Sequence, residues 1–366
     1  MQVSVDFRAL GVVGLVGLLA VGCGSGLKLT KVDAAYRKPS NVAVFFAVQN
    51  GKDEPVADLT ATDFKIYEDG KVVSIDESRQ TIVNPEVAAV HQTLLLVDMS
   101  ASVTESDQVA QIVQAAQEFS TQIESYQKVA VYAFDGSKDI HEITPFSDSG
   151  ERASAGLNKL AEFHTKDPST NLHGAVVQGL EKLDEGLARA TVPLRFGTLV
   201  VFTDGTDRAS RVPGQEMMDA IDASDNEVFA IGVGNEIDDA TLARIGRSGY
   251  IRVGDSAALR GAFSQIGDRI VSYTRRYYLL SYCSPARAGK HSVTVEAHAE
   301  DTSGQLSYEF DAKGFEPGCD ASAPPPFDTS GRTARSRKKM GLTPETAPQH
   351  EHKAPAPKPA EPTAKK

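Results

Sequence analysis

Thr93 to Ser102 reads TLLLVDMSAS, and its first half decides the architecture. Thr93 through Val97 are apolar or β-branched without alternation, the pattern of a strand covered on both faces of a parallel sheet. The run then breaks into Asp98, Ser100 and Ser102, oxygen side chains at alternate positions where the strand's carboxyl end opens into a loop. Open α/β sheets bind their ligands at such strand ends. One carboxylate and two hydroxyls are hard donors that suit Mg²⁺, which keeps water ligands because it dehydrates reluctantly. Taken alone, the string also fits a polar strand-to-helix turn with a capping serine.

Two downstream features go further. FGTLVVFTDG, Phe196 to Gly205, is a second buried strand that ends in Asp204 and Gly205. Between the two strands lies STNLHGAVVQGL, with Thr170 opening a helix. Asp98-x-Ser100-x-Ser102, then Thr170, then Asp204-Gly205 resemble, in order, the metal-ion-dependent adhesion site of von Willebrand factor A domains. The resemblance implies that Ser100, Ser102 and Thr170 supply hydroxyl ligands, with Asp98 and Asp204 binding the metal directly or through water. Mg²⁺ is the ion it implies first, with Mn²⁺ or Ca²⁺ as alternatives. Read without it, Thr170 is a helix cap and Asp204 the start of an Asx-type turn before Gly205.

The surrounding pattern agrees with an α/β fold. A helical period covers Val109 to Ser125, with Ile112, Ala115, Ala116 and Phe119 on one face. KVAVYAF and IHEITPF follow as strands around Asp135-Gly136, then a helix from Arg152 to Phe163, the Thr170 helix and the Asp204 strand. A helix near Gln215 to Ala223, the strand EVFAIGVG, a short helix in DDATLARIGRSG, the strand YIRV and a helix from Ala257 to Arg275 complete it. This alternation predicts a doubly wound, Rossmann-like, mostly parallel sheet with one antiparallel edge over residues 91–275.

The flanks change character. Residues 41–90 alternate in NVAVFFAVQ and carry Glu68-Asp69-Gly70 between alternating runs, a hairpin signal. PVADLTATDFKIYEDGK, Pro55 to Lys71, resembles the β segment that precedes the A domain in many bacterial proteins related to von Willebrand factor A. Residues 276–319 return to strands in YYLLSY, HSVTVEAHA and QLSYEF. These are expected to pair with residues 41–90 as a smaller β-sandwich flanking the central domain.

At the front, Arg8 precedes the apolar stretch Ala9 to Val21, and Ala20-Val21-Gly22-Cys23 closes it with small residues and a cysteine. This resembles the leader and lipobox of bacterial lipoproteins, although Ala20 stands where Leu is commonest; a plain signal peptide or a short core helix are the alternatives. The resemblance implies a signal peptide over residues 1–22 and a lipid anchor on Cys23, each buried CH₂ contributing about 0.8 kcal/mol. Gly24 after the cysteine implies sorting to the outer membrane, facing either the periplasm or the cell surface. Residues 23–40 then read as a tether. Cys283 and Cys319 either pair, if the compartment is oxidising, or stay free.

The 366 residues carry 38 Lys and Arg against 49 Asp and Glu, a net charge of −11, which argues against nucleic acid as a partner. From Ala321 onward 9 of the 18 prolines fall among Ala, Lys and Ser, so residues 320–366 are expected to be disordered. His350-Glu351-His352 could bind stray metal, and Arg335 to Lys339 could touch an anionic surface.

Catalysis has little to stand on. The chain has no Gly-x-Ser-x-Gly elbow, phosphate loop or HExxH helix. His141, His164 and His173 are scattered, and His164 or His173 would approach the metal only because the Thr170 loop does. Two carboxylates and three hydroxyls leave a divalent ion electrophilic, able to take an Asp or Glu from a protein partner, and similar domains use the ion in that way. The expected function is therefore partner binding through a metal by a lipid-anchored protein that is not an enzyme. The alternative is a periplasmic scaffold or assembly factor in which the ion only stabilises loops.

Overall fold

The computed structural model describes residues 26–83, 89–106, 108–146, 156–234 and 236–327. In chain order the first elements are β1 (Lys28–Arg37), β2 (Asn41–Gln49), β3 (Phe64–Glu68), β4 (Lys71–Val72), α1 (Ile75–Ser78) and β5 (Thr81–Val83). There follow β6 (Ala89–Asp98), α2 (Ala101–Thr104), α3 (Val109–Ile123), β7 (Lys128–Phe134), β8 (His141–Thr144), α4 (Asn158–Ala161), α5 (Leu172–Ala188) and β9 (Leu194–Thr203). The chain closes with α6 (Gly214–Ala223), β10 (Glu227–Val233), α7 (Asp239–Ile245), β11 (Gly249–Val253), α8 (Leu259–Arg275), β12 (Tyr277–Cys283), β13 (Lys290–Ala299) and β14 (Thr302–Asp311).

β11-β10-β9-β6-β7-β8 form one six-stranded sheet, parallel except for β8 at its edge. The unbroken apolar run at Thr93 has its explanation here. Leu95 and Val97 point into a core shared with α3 and α8, while Leu94 and Leu96 point into a second core under α5, α6 and α7. With helices on both faces, no position from Gln92 to Asp98 meets water, so no polar alternation survives there. The doubly wound, mostly parallel sheet with one antiparallel edge is thus as expected.

Two further sheets of four strands, β1-β2-β12-β5 and β14-β13-β3-β4, enclose a third core of residues such as Val44, Phe46, Phe64, Leu280, Val295 and Phe310. Strands from both flanks pair directly: β12 with β2 and β5, and β13 with β3. The β3–β4 hairpin turns through Asp69 and Gly70, both at positive φ, 49° and 77°, as a two-residue turn matched to strand twist requires.

Four features depart from the sequence expectations. Lys28–Arg37, placed in the tether, is strand β1, paired along β2 from Lys28↔Gln49 to Arg37↔Asn41. Its register shifts between Lys31 and Asp33, so a bulge at Val32 breaks the alternation that would have announced it. Second, β2 is buried at all nine positions rather than half-exposed. Ala43, Phe45 and Ala47 pack with Ala89, Leu194 and Phe196, at the entry ends of β6 and β9, so the six-stranded sheet covers the outer face of the sandwich. Third, residues 321–327, placed in the expected disordered tail, include side chains packed on the body of the molecule. Ala321 and Phe327 are buried, Phe327 against Phe45 with ring centroids 6.5 Å apart, and Asn41 donates to the carbonyls of Asp320 and Ala323. Helix α4 is also shorter than the helix drawn over Arg152 to Phe163, of which residues 152–155 lie outside the described residues.

Cys283 and Cys319 form a disulfide with Cα atoms 5.6 Å apart, closing a loop of 36 residues. On the chain-entropy account such a loop contributes about 3–4 kcal/mol. The leader, Cys23, and the residues from 328 on, His350 and His352 included, lie outside the described residues. Among the described residues no helix is long and apolar enough to cross a membrane.

Candidate metal centre

β6 and β9 are neighbours in register, Val97 opposite Phe202, so they deliver Asp98 and Thr203-Asp204 side by side at the carboxyl edge of the sheet. Asp98 and Ser100 are fully buried there, and Thr170 nearly so at 4% exposure. The Asp98 carboxylate accepts the Ser100 amide on Oδ1 at 3.0 Å and the Thr203 hydroxyl on Oδ2 at 2.7 Å. Ser100 Oγ lies 3.2 Å from Ser102 Oγ, and Ser102 Oγ donates to Asp204 Oδ1 at 3.1 Å. Four of the five expected ligands are therefore linked in one chain of contacts. Each Asp98 oxygen keeps lone pairs beyond the bond it accepts.

Thr170 joins through its backbone. Its carbonyl accepts from the amides of Arg208 and Ala209 at 2.9 and 3.0 Å, tying the loop after Asp204 to the entrance of α5. The cap of α5 is Asn171, whose Oδ1 accepts from the Gly174 amide, so the Thr170 hydroxyl is not consumed in capping.

The electrostatics favour a cation. Burial pushes the Asp98 carboxyl up to about 7, with the Asp204 charge adding to it and the bonds from Thr203 and Ser100 opposing. Burial also raises Asp204, helped by Glu236 and countered by the Ser102 bond and Arg208. Two desolvated carboxylates therefore face one another, with hydroxyls that add donors but no charge. That donor set fits a small hard divalent ion. Among the described residues no group of three or more His, Cys, Asp and Glu could hold a metal, so a site here depends on the hydroxyls.

Two supporting residues were not singled out from the sequence. Thr203 closes β9 and holds Asp98; its signal is only one polar residue at the end of an apolar strand. Asp135 directly follows the neighbouring β7, is buried, and staples the loops: it accepts the amides of Ser137, Lys166 and Asp167 at 2.7, 2.7 and 3.3 Å. Burial works to raise its carboxyl, but these donors outweigh it and hold it below the usual range. Asp135-Gly136 reads as a turn between strands, which conceals this role.

The histidines are structural neighbours of the site. His173 makes a 3.0 Å contact from Nδ1 to the Val212 carbonyl and sits 3.6 Å from Asp207. His141 lies 3.8 Å from Asp135 and packs on Phe163, while His164 is exposed.

Residues 94–265 match the family of the von Willebrand factor type A domain. No curated protein matches the chain. Among solved structures, proximal thread matrix protein 1 from the mussel byssus, with a zinc-occupied MIDAS motif, aligns at a TM-score of 0.43 and 15% identity, over 50% of this chain and 48% of its own. The von Willebrand factor type A protein of Catenulispora acidiphila aligns at 0.40 and 11% identity, over 79% of this chain and 74% of its own. Manganese-loaded TRAP protein of Plasmodium vivax aligns at 0.41 and 13% identity, over 64% and 97%. The chain thus spans about half the length of the mussel protein it matches. Likenesses at these scores carry no functional weight.

Proposed function

Because residues 94–265 form a von Willebrand factor type A domain, we propose that Asp98, Ser100, Ser102, Thr170 and Asp204 hold a divalent cation, Mg²⁺ first, and that the domain binds a protein partner through it. The observation that carries this reading is the contact chain from Asp98 through Ser100 and Ser102 to Asp204, with both carboxylates raised by burial. Bound there, the ion supplies a Lewis-acidic position open to an Asp or Glu of the partner. The chain's own residues do the rest. Thr203 orients Asp98, Ser102 orients Asp204, and the Thr170 carbonyl holds the Asp204 loop closed over α5. The role is binding, not catalysis.

The protein is also proposed to be a lipoprotein of the outer membrane, anchored at Cys23. Support comes from the Arg8 to Cys23 leader pattern. Only residues 24–27 separate Cys23 from β1, a reach of about 14 Å fully extended, so the sandwich would stand against the membrane.

Titration of the whole protein with Mg²⁺ and Mn²⁺, beside Asp98→Ala, tests the metal: equal heats for both proteins defeat it. A pull-down with wild type, Asp98→Ala, and wild type plus EDTA tests the bridge. Partner recovery in the first alone supports it, and equal recovery in all three returns the scaffold reading.

A further inference from the structure

A cavity of about 380 Å³ opens in the β-sandwich, not in the sheet that carries Asp98. Both cysteines of the disulfide line it, as do Arg79 and Arg287. The two sulfurs are not equivalent: Cys319 is buried at 5% exposure, whereas Cys283 is partly exposed.

The arginines are held in place by backbone. Arg79 follows α1 in the left-handed conformation, φ 53°, and its Nη1 donates to the carbonyl of Cys319 at 3.2 Å. Arg287 donates from Nη1 to the carbonyls of Ser284 and Ala286 at 3.0 and 2.7 Å. Each guanidinium keeps further N–H donors beyond these bonds. Asp320, next to Cys319, is held low by the Ser322 hydroxyl and amide and in part by Arg79, so the Arg79 field reaches this end of the disulfide. Glu77 is an acid at the wall.

We propose that this cavity is a thiol–disulfide exchange site for a small anionic thiol, whose carboxylates Arg79 and Arg287 receive and whose thiolate attacks Cys283. The thiol first gives its proton to solvent. Its sulfur then bonds to Cys283 Sγ as the Cys283–Cys319 bond breaks, and the electron pair of that bond leaves on Cys319 Sγ. The incoming sulfur is oxidised to a mixed disulfide, Cys319 is reduced to a thiolate, and no other reactant is consumed. Cys283 is the sulfur attacked because it is the more accessible. Cys319, the buried partner, is then the sulfur that leaves.

The site differs in this from a disulfide that serves only to close a loop. Exchange frees Cys319 and removes the cross-link that holds the segment up to Phe327, which then stays through non-covalent contacts such as those of Arg79, Asn41, Arg37 and Phe45.

The test uses the folded full chain with glutathione, an anionic tripeptide thiol, and neutral 2-mercaptoethanol as probes, with rates expressed per thiolate and adducts mapped by mass spectrometry. Glutathione is expected to react about tenfold faster at low salt, the advantage fading at high salt as charge attraction is screened. The adduct is expected on Cys283, with Cys319 free. The double variant Arg79→Gln, Arg287→Gln should bring the two thiols to equal rates; the salt series on the unaltered protein gives the same answer if that variant misfolds. Equal rates at low salt, an adduct on Cys319, or no adduct without denaturant each overturn the proposal.

Discussion

Thr203 Oγ1 donates to Asp98 Oδ2 across 2.7 Å, joining the ends of two strands 105 residues apart in sequence. The same hydroxyl accepts from the Gly205 amide at 3.2 Å, so one side chain sets both the carboxylate and the turn beside it. Thr203→Val keeps the shape and removes both bonds. It is expected to cost about 1–2 kcal/mol in urea unfolding and to weaken divalent-ion binding, whereas Thr203→Ser should retain most of both. A Val variant with unchanged ion affinity would show that Thr203 does not orient the site.

Divalent ions should stabilise the whole protein. At 100 times the dissociation constant the gain is about 2.7 kcal/mol, read as a rise in Tm with Mg²⁺ or Mn²⁺. Asp98→Ala should remove the dependence without unfolding the domain, since the apolar strand behind it is untouched. A wild-type Tm flat across millimolar Mg²⁺ and Mn²⁺ would count against the ion.

Phe327 is the last described residue, buried against Phe45 where the sandwich meets the six-stranded sheet. Phe327→Ala should cost about 3 kcal/mol, as for other buried phenylalanines. Ending the chain at residue 320 should cost at least as much. Denaturant midpoints of the three proteins check this.

The β3–β4 turn carries a pH signature. His291 Nδ1 lies 2.8 Å from Asp69 Oδ2, and the Ala288 carbonyl, followed by Asp69, raises the imidazole above its ordinary 6.5. Its contribution is therefore full below 6.5 and is lost as pH rises through the raised value. Asp69 is lowered from 3.8, first by the Ser292 amide and then by His291, so its contribution is present above 3.8 and is lost as pH falls through the lowered value. The hairpin should be firmest between these limits, and His291→Gln should flatten the alkaline side. An NMR titration that finds His291 at or below 6.5 would contradict the pairing.

Cys23→Ser should leave the protein in the soluble fraction or stalled with its leader attached. Cell fractionation decides. Processed Cys23→Ser protein that still sediments with outer membranes would rule out this anchor.

What the sequence determined by itself is the central sheet, because a strand covered by helices on both faces must be apolar throughout, and Thr93 to Val97 and Phe196 to Phe202 declare it. It also placed Asp98, Ser100, Ser102 and Asp204 at strand ends, since polarity changes abruptly where a buried strand leaves the core. Only the tertiary structure decided the rest. The strand at Lys28–Arg37 was hidden by the Val32 bulge, which interrupts the two-residue period that local pattern depends on. Burial of the outer face of β2 arises from contact with Phe196 and Leu194, some 150 residues away, and no neighbouring residue encodes it. Thr203 and Asp135 act through partners on other loops, so their types alone say nothing of the work they do. The same holds for the cavity at Cys283 and Cys319. Arg287 is a near neighbour of Cys283 in sequence, but Arg79 is some 200 residues away and meets the disulfide only because strands from both flanks close the sandwich.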